Sequence, residues 1–308
     1  MKNILILGGG GFIGKNLLNF LSNEFIDTEY SKFITSSSTQ TFSDDISNDC
    51  KFYNLRLNQV NEIKNLISDN KVSSIIHLVS GLIPSSNIDN FNKELEDVIS
   101  PSAEIFLYAA KKNIKVVFIS SGGTIYKNTP NAHKEVDNLD PINYYGKAKI
   151  ILEDHLRRLG RSYDLKYVIL RPSNVYGNFY NLNSSQGLIP NTISNITNKK
   201  PITIWGDGTD KRDYLFVDDL SRAIFSFLNN DGINGEFNVA SSSVHSVLDV
   251  IKLLEKKLRI SANIIFEDRR AVDASCSILD ISKIKKTIDF EPLNLELGLN
   301  HLIKEVSY

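Results

Sequence analysis

The chain has little cysteine: Cys50 and Cys276 are the only two in 308 residues. They lie far apart and in no metal-type spacing, so no metal site is expected. Two reduced thiols in a cytosolic protein account for them. Charge of one sign is also lacking, with 35 Lys and Arg against 36 Asp and Glu and a net charge of −1. No global field draws the protein to nucleic acid or to an anionic membrane. An anionic substrate must then be held by a few placed arginines or lysines. No run of about 18 apolar residues occurs. The first apolar run, residues 4–7, is too short for a signal peptide or a spanning helix and ends in glycines. Repeats, low-complexity tracts and long linkers are absent as well. These absences predict a soluble, cytoplasmic protein with neither a nucleic acid nor a membrane as partner. What is present is ordinary globular composition, 42% hydrophobic and 23% charged. The length suits one large α/β domain, alone or with a smaller lobe.

The first half alternates strand and helix. Residues 4–7 form a short apolar run, and residues 12–25 carry Ile13, Leu17, Leu18 and Leu21 at helical spacing. Segments 32–35 and 51–55 are predicted as strands, 60–68 as a helix, and 74–79 and 115–120 as buried strands. Between the last two, 91–112 is a long helix containing Pro101, which predicts a kink or a break. A helix over 145–159 and a strand over 167–170 follow. Such alternation implies a parallel, doubly wound sheet of the Rossmann type.

After Pro172 the texture changes. Residues 174–208 are rich in Asn, Ser, Gly and Pro, with one helix near 191–197. Segments 214–217 and 237–240 are predicted as short strands returning to the sheet. Ser246 with Asp249 three residues later is a capping-box pattern, and Leu248, Ile251, Leu254 and Leu258 continue an apolar face. The predicted organisation is a dinucleotide-binding domain over 1–173, rejoined by about 214–242, and a smaller substrate-binding lobe from 174–213 and 243–308.

Two motifs carry chemistry. Gly8, Gly11 and Gly14 give G-x-x-G-x-x-G at the first strand–helix junction. Small residues there allow a tight turn and close approach of a pyrophosphate to a helix N-terminus. The acid expected at the end of the second strand is missing, since the chain reads Phe33-Ile34-Thr35-Ser36-Ser37-Ser38. Serines can meet either a ribose 2′-hydroxyl or a 2′-phosphate, so NAD and NADP both stay open. The second motif is Tyr145-x-x-x-Lys149 at the start of a helix. Positions four apart share a face, and an ammonium near a phenol favours the phenolate. Bringing a tyrosine from near pKa 10 to about 7 needs roughly 4 kcal/mol. Alone, this spacing also fits an exposed helix pair. It gains force from the preceding glycine loop and from Ser120-Ser121-Gly122-Gly123-Thr124 at the end of a strand. Tyr144 lacks the lysine, because Ala148 stands four residues on.

With these stretches in hand, the chain resembles the extended short-chain dehydrogenase/reductases. Specifically, it resembles the NAD-dependent epimerase/dehydratase branch typified by UDP-galactose 4-epimerase. Further matching segments are His77-Leu78-Val79-Ser80, Leu170-Arg171-Pro172-Ser173-Asn174-Val175-Tyr176-Gly177, Ile204-Trp205-Gly206-Asp207-Gly208, and Arg212-Asp213-Tyr214 running into Val217-Asp218-Asp219-Leu220. The resemblance implies a dinucleotide held by Gly8, Gly11, Phe12, Ile13, Gly14, Asn54, Leu55, Leu78, Val79, Ser80, Ser120, Tyr145, Lys149 and Pro172. It implies Tyr145 and Lys149 as the catalytic pair. It also implies a nucleotide-sugar substrate whose diphosphate is gripped by Arg212 and Arg270, with Asn174 on a phosphate. Asp273 would lie near the nucleotide ribose, and Leu188, Thr203, Ile204 and Trp205 would form the base pocket. A homodimer packed through the helices 91–112 and 145–159 is a further implication of the family.

The chain departs from the family in places. Gly122 stands where a reacting-hydroxyl Ser or Thr is usual, so Thr124 or Ser121 must substitute. Gly187 replaces a frequent asparagine, and Asn54 a typical acid. Gly123 and Thr124 occupy the places of the dehydratases' Asp-Glu pair, which argues against dehydration. The leading expectation is a nucleotide-sugar 4-epimerase using bound NAD on a UDP-hexose or UDP-N-acetylhexosamine. A 4-keto-sugar reductase using NADH or NADPH is the rival, and the missing acid favours it modestly. A dinucleotide-binding sensor without turnover would have lost the tyrosine or the lysine, and both are present.

Overall fold

A computed structural model describes residues 2–24, 30–35, 50–179, 187–269 and 276–306. Seven strands form a wholly parallel sheet: β1 (Lys2–Leu7), β2 (Tyr30–Thr35), β3 (Cys50–Tyr53), β4 (Ser74–His77), β5 (Lys115–Ile119), β6 (Tyr167–Pro172) and β10 (Gly235–Val239). Their spatial order is β10-β6-β5-β4-β1-β2-β3. The chain reverses direction across the sheet between β1 and β4, which is where a doubly wound sheet opens a ligand crevice.

Alternate residues along each strand supply two cores. Ile4, Ile6, Ile76, Val117, Ile119, Val168 and Leu170 face helices α1 (Phe12–Glu24) and α7 (Val217–Leu228). Leu5, Leu7, Ile75, Val116, Phe118 and Ile169 face α2 (Val60–Asp69), α4 (Ser100–Lys111) and α5 (Tyr144–Tyr163). Both faces are covered, so the strands read as continuous apolar runs.

The helix containing Pro101 is neither broken nor regular. It runs as α3 (Ile88–Glu94), a π turn over Leu95–Ile99, and α4. The Ser100 N–H reaches back to the Leu95 carbonyl. Pro101 has no N–H to donate, and its ring would press on the carbonyl four residues earlier. A widened turn just before it relieves that contact.

The remaining strands form a separate layer. β9 (Lys211–Phe216) pairs with β7 (Asn174–Tyr176), β11 (Val244–Ser246) and β13 (Cys276–Ser277), while β8 (Ile202–Trp205) pairs with β12 (Ile264–Glu267). With α6 (Leu188–Thr197), α8 (Val247–Leu258) and α9 (Leu295–Val306) they enclose a third core that includes Ile193, Ile204, Phe216, Ile251 and Leu299. Of the two strands expected to return to the large sheet, only β10 does so. The other, β9, already spends its backbone groups on three strands of the smaller sheet. The capping box at Ser246 forms, with Ser246 Oγ accepting from the Asp249 N–H and the Asp249 carboxylate accepting from the Ser246 N–H.

Candidate active site

The glycine loop joins β1 to α1. The Gly8 and Gly9 N–H groups donate to the Thr35 carbonyl at 3.0 and 3.2 Å, tying the loop to the end of β2. Gly8 sits at φ +82°, which favours glycine. A Cβ at Gly14 would collide with the Gly9 backbone, so the third glycine lets the helix pack on its own loop. A Cβ at Gly11 would meet only the Gly8 carbonyl, at 3.4 Å, and Gly11 borders a cavity of about 570 Å³. That cavity gathers Gly8, Gly11, Phe12, Leu55, Leu78, Val79 and Ser80 from the expected cofactor residues. An elongated anion fits there, over a glycine backbone and a helix N-terminus. Asn54 does not line the cavity; Arg56 and Asn58 do, with Lys15, Thr35, Asp97, Val98 and Phe179. The sequence carried no sign of Asp97 and Val98, because the π turn that places them has no local signature.

A second cluster stands at the ends of β5 and the start of α5. Asn143 caps α5 by accepting from the Gly146 N–H at 2.9 Å. Tyr145 then lies in the first turn and Lys149 one turn deeper, buried. Thr124 Oγ1 donates to Ser121 Oγ at 2.9 Å, and the Ser121 hydroxyl lies near the Tyr145 phenol, where it favours the ionised form. Tyr145 is partly open, yet desolvation pushes its phenol up to about 12; the Ser121 hydroxyl pulls down and the Glu94 charge pushes up. Lys149 is pushed down to about 8 by burial, against the pull of Glu94 and Glu153. Its ammonium donates to the Ile119 carbonyl at 3.0 Å and lies 5.6 Å from the Tyr145 ring centre. Desolvation dominates the phenol, and the ammonium expected to lower it is bonded to the strand instead.

Gly122 has a packing reason. A Cβ there would collide with Leu279 and stand 2.9 Å from the Arg171 carbonyl. A serine or threonine cannot enter, and Ser121 and Thr124 hold the hydroxyls. Ser120 is committed elsewhere: its hydroxyl donates to Glu153 at 2.6 Å. Glu153 also accepts two bonds from the buried Arg171, at 3.0 and 2.6 Å, and one from Arg157 at 2.6 Å. Pro172 ends β6 beside this network, and its carbonyl accepts from the Gly122 N–H at 2.7 Å.

The smaller sheet brings two further side chains, those of Asn174 and Ser277, to the Gly123 turn. Asn174 donates to the Asp213 carbonyl, and its Oδ1 is left facing Gly123. Ser277, aligned with Arg212 in β13–β9, turns a buried hydroxyl that has no hydrogen-bond partner among the described residues towards Gly123 as well. Sequence reasoning missed Ser277. Arg212 is half-buried and 3.7 Å from Asp210, which also pairs with Arg269 at 2.9 Å. Thr203 and Trp205 are exposed on β8 while Ile204 is buried, and Leu188 opens α6. Ile13 lies in the first turn of α1. Arg270 and Asp273 lie outside the described residues. Among the described residues no cluster of His, Cys, Asp or Glu could hold a metal ion.

Known proteins resemble this chain over nearly its whole length. Residues 4–240 match the model of the NAD dependent epimerase/dehydratase family. The dTDP-4-dehydro-6-deoxyglucose reductase of Escherichia coli is 30% identical, over 99% of this chain and 98% of its own. A putative UDP-glucose 4-epimerase of Methanocaldococcus jannaschii is 26% identical, over 98% of this chain and 96% of its own. Among solved structures, the UDP-glucose 4-epimerase of Thermotoga maritima with UDP-glucose superposes with a TM-score of 0.90 at 27% identity, covering 98% of this chain and 97% of that one.

Proposed function

This chain belongs to the NAD dependent epimerase/dehydratase family and is an enzyme, and from that premise we propose that it is a nucleotide-sugar 4-epimerase acting on a UDP-hexose or UDP-N-acetylhexosamine. The observation that carries the proposal is the hydroxyl chain from Thr124 through Ser121 to Tyr145, one helical turn from the buried Lys149. The bound dinucleotide supplies the reversible hydride chemistry that interconverts a C4 carbinol and a 4-keto sugar. Tyr145 takes the C4 hydroxyl proton and returns it after the sugar has turned. Ser121 steadies the phenol oxygen and shares its proton with it. Lys149, one turn further along the helix, supplies positive charge on the phenol's side of the site, and a bound oxidised nicotinamide would add to it; both would favour the phenolate against desolvation. Arg212, with Arg270, grips the diphosphate while the sugar rotates, as guanidinium forks suit phosphate oxygens. Thr203 and Trp205 offer an exposed edge for the base. Gly123 and Thr124 supply no carboxyl group for dehydration.

A 4-keto-sugar reductase is the second reading, favoured by the full-length likeness to the E. coli enzyme. The two separate cleanly in one experiment. Purified protein with UDP-glucose, UDP-galactose or their N-acetyl forms, and no added reduced cofactor, is expected to interconvert the epimers. Stoichiometric consumption of NADH or NADPH with a 4-keto sugar, and no interconversion, would replace the epimerase by the reductase.

A further inference from the structure

Glu94 is a buried acid beside the Tyr145–Lys149 pair that the proposed mechanism does not use. It is the last residue of α3 and is 5% exposed, a burial that glutamates tolerate only when partnered. Its partners all lie on the segment following β4. The Gly81 N–H donates to both carboxylate oxygens, at 3.1 and 3.0 Å, and Ser80 Oγ donates at 3.2 Å. A Cβ at Gly81 would stand 2.7 Å from Oε2, so a side chain there would push the carboxylate aside. One turn earlier on the same helix, Phe91 packs on Tyr144 with ring centres 5.2 Å apart. That contact lays α3 along the first turn of α5 and brings the Glu94 charge to bear on Tyr145 and Lys149.

Pinning Ser80 and Gly81 needs only an acceptor, which a neutral amide oxygen would provide. A carboxylate in so desolvated a place does something an amide could not. We propose that Glu94 is a positioning residue of the reacting pair, its carboxylate locked onto Ser80 and Gly81 so that a buried negative charge is held fixed beside Tyr145 and Lys149.

The surrounding charges agree in sign. Burial raises Glu94 itself; Asp97 in the π turn adds to that, and Lys149 opposes it. When ionised, Glu94 raises both the Tyr145 phenol and the Lys149 ammonium. The other groups around Lys149 are Glu153, already shared by Arg157 and Arg171, and His77, neutral because burial pushes it down to about 3. Glu94 thereby favours the charged ammonium, as Glu153 does, and the protonated phenol, as desolvation does.

The proposal rests on Tyr145 as the reacting base, and the test keeps the two apart. Phenolate absorbance of the NAD-loaded enzyme, without substrate, is titrated against the same protein carrying Tyr145→Phe. Glu94→Gln is expected to lower the Tyr145 midpoint by about half a pH unit or more, since one nearby negative charge is removed. Glu94→Asp withdraws the charge by one methylene and is expected to fall between, which keeps the test readable should the Gln variant fold poorly. The acid limb of kcat/KM is expected to move in the same direction. A changed Tm with an unmoved or raised midpoint would reduce Glu94 to a structural pin and overturn the proposal. A wild-type enzyme with no ionisation assignable to Tyr145 would sink the Tyr145 assignment, and this proposal with it.

Discussion

Thr124 donates its hydroxyl to Ser121 at 2.9 Å, and Ser121 in turn meets the Tyr145 phenol. With Gly122 closed off by Leu279, this chain of hydroxyls is the part of the site that can follow charge on the phenol oxygen. Ser121→Ala is expected to lower kcat by about 100-fold with KM changed only a few-fold, the size usual for a positioned proton-handling group. Thr124→Val, one bond further out, is expected to cost about 10-fold. Steady-state epimerisation kinetics check both, and an unaffected Ser121→Ala would remove Ser121 from the mechanism.

The glycine loop separates folding from binding. Gly11→Val is expected to leave Tm near wild type, because the added atoms enter the cavity, while the purified protein loses its retained dinucleotide. Gly14→Val is expected to fail at folding, since its Cβ meets the Gly9 backbone. Thermal melts, together with the mass of the nucleotide released on denaturation, distinguish the two outcomes. The same mass decides between NAD and NADP.

His77 predicts a particular acid sensitivity. It is fully buried between Phe106 and Phe118, with Nε2 2.8 Å from Ser102 Oγ and Nδ1 without a partner among the described residues. Burial lowers it from 6.5 to about 3. Between those values the unfolded chain binds the proton and the native chain does not, so stability falls as pH falls from 6.5 towards 3. The slope due to this group approaches about 1.4 kcal/mol per pH unit. Urea unfolding of wild type and His77→Gln should show the variant gaining on wild type as pH drops through that window. Parallel curves would mean that His77 titrates normally.

Buried and exposed ion pairs should behave differently. Glu153→Met strands the buried Arg171 guanidinium and is expected to cost about 3–5 kcal/mol of unfolding free energy. Asp154→Ala breaks the exposed Arg158 pair on the same helix and is expected to cost under about 1 kcal/mol. Denaturant midpoints at neutral pH measure both. Equal losses would contradict the role given to the Glu153–Arg171 pair in holding Ser120 and its neighbour Ser121.

Some of the site was legible because its chemistry is local. Gly8, Gly11 and Gly14 declare a tight strand–helix turn, and Tyr145 and Lys149 declare a shared helix face, within seven residues or fewer. Strands β1, β4, β5 and β6 could be read because burial on both faces leaves unbroken apolar runs. Other features were not local. Glu94 reads in sequence as one more charge on an acidic helix, and only the approach of Ser80 and Gly81 makes it buried. Ser277 belongs to a two-residue strand that no periodicity can announce. The π turn over Leu95–Ile99 answers a crowding at Pro101 that the sequence signalled only as a kink.

The sequence by itself determined the doubly wound sheet, the dinucleotide loop and the tyrosine–lysine pair. In each, the information is a short-range spacing or an apolar period that the backbone converts directly into geometry. Only the tertiary structure decided that β9 leaves the large sheet, that Leu279 denies Gly122 a hydroxyl, and that Lys149 bonds to the Ile119 carbonyl. Those outcomes depend on which distant segments compete for the same space, and on desolvation, which belongs to an environment and not to a residue.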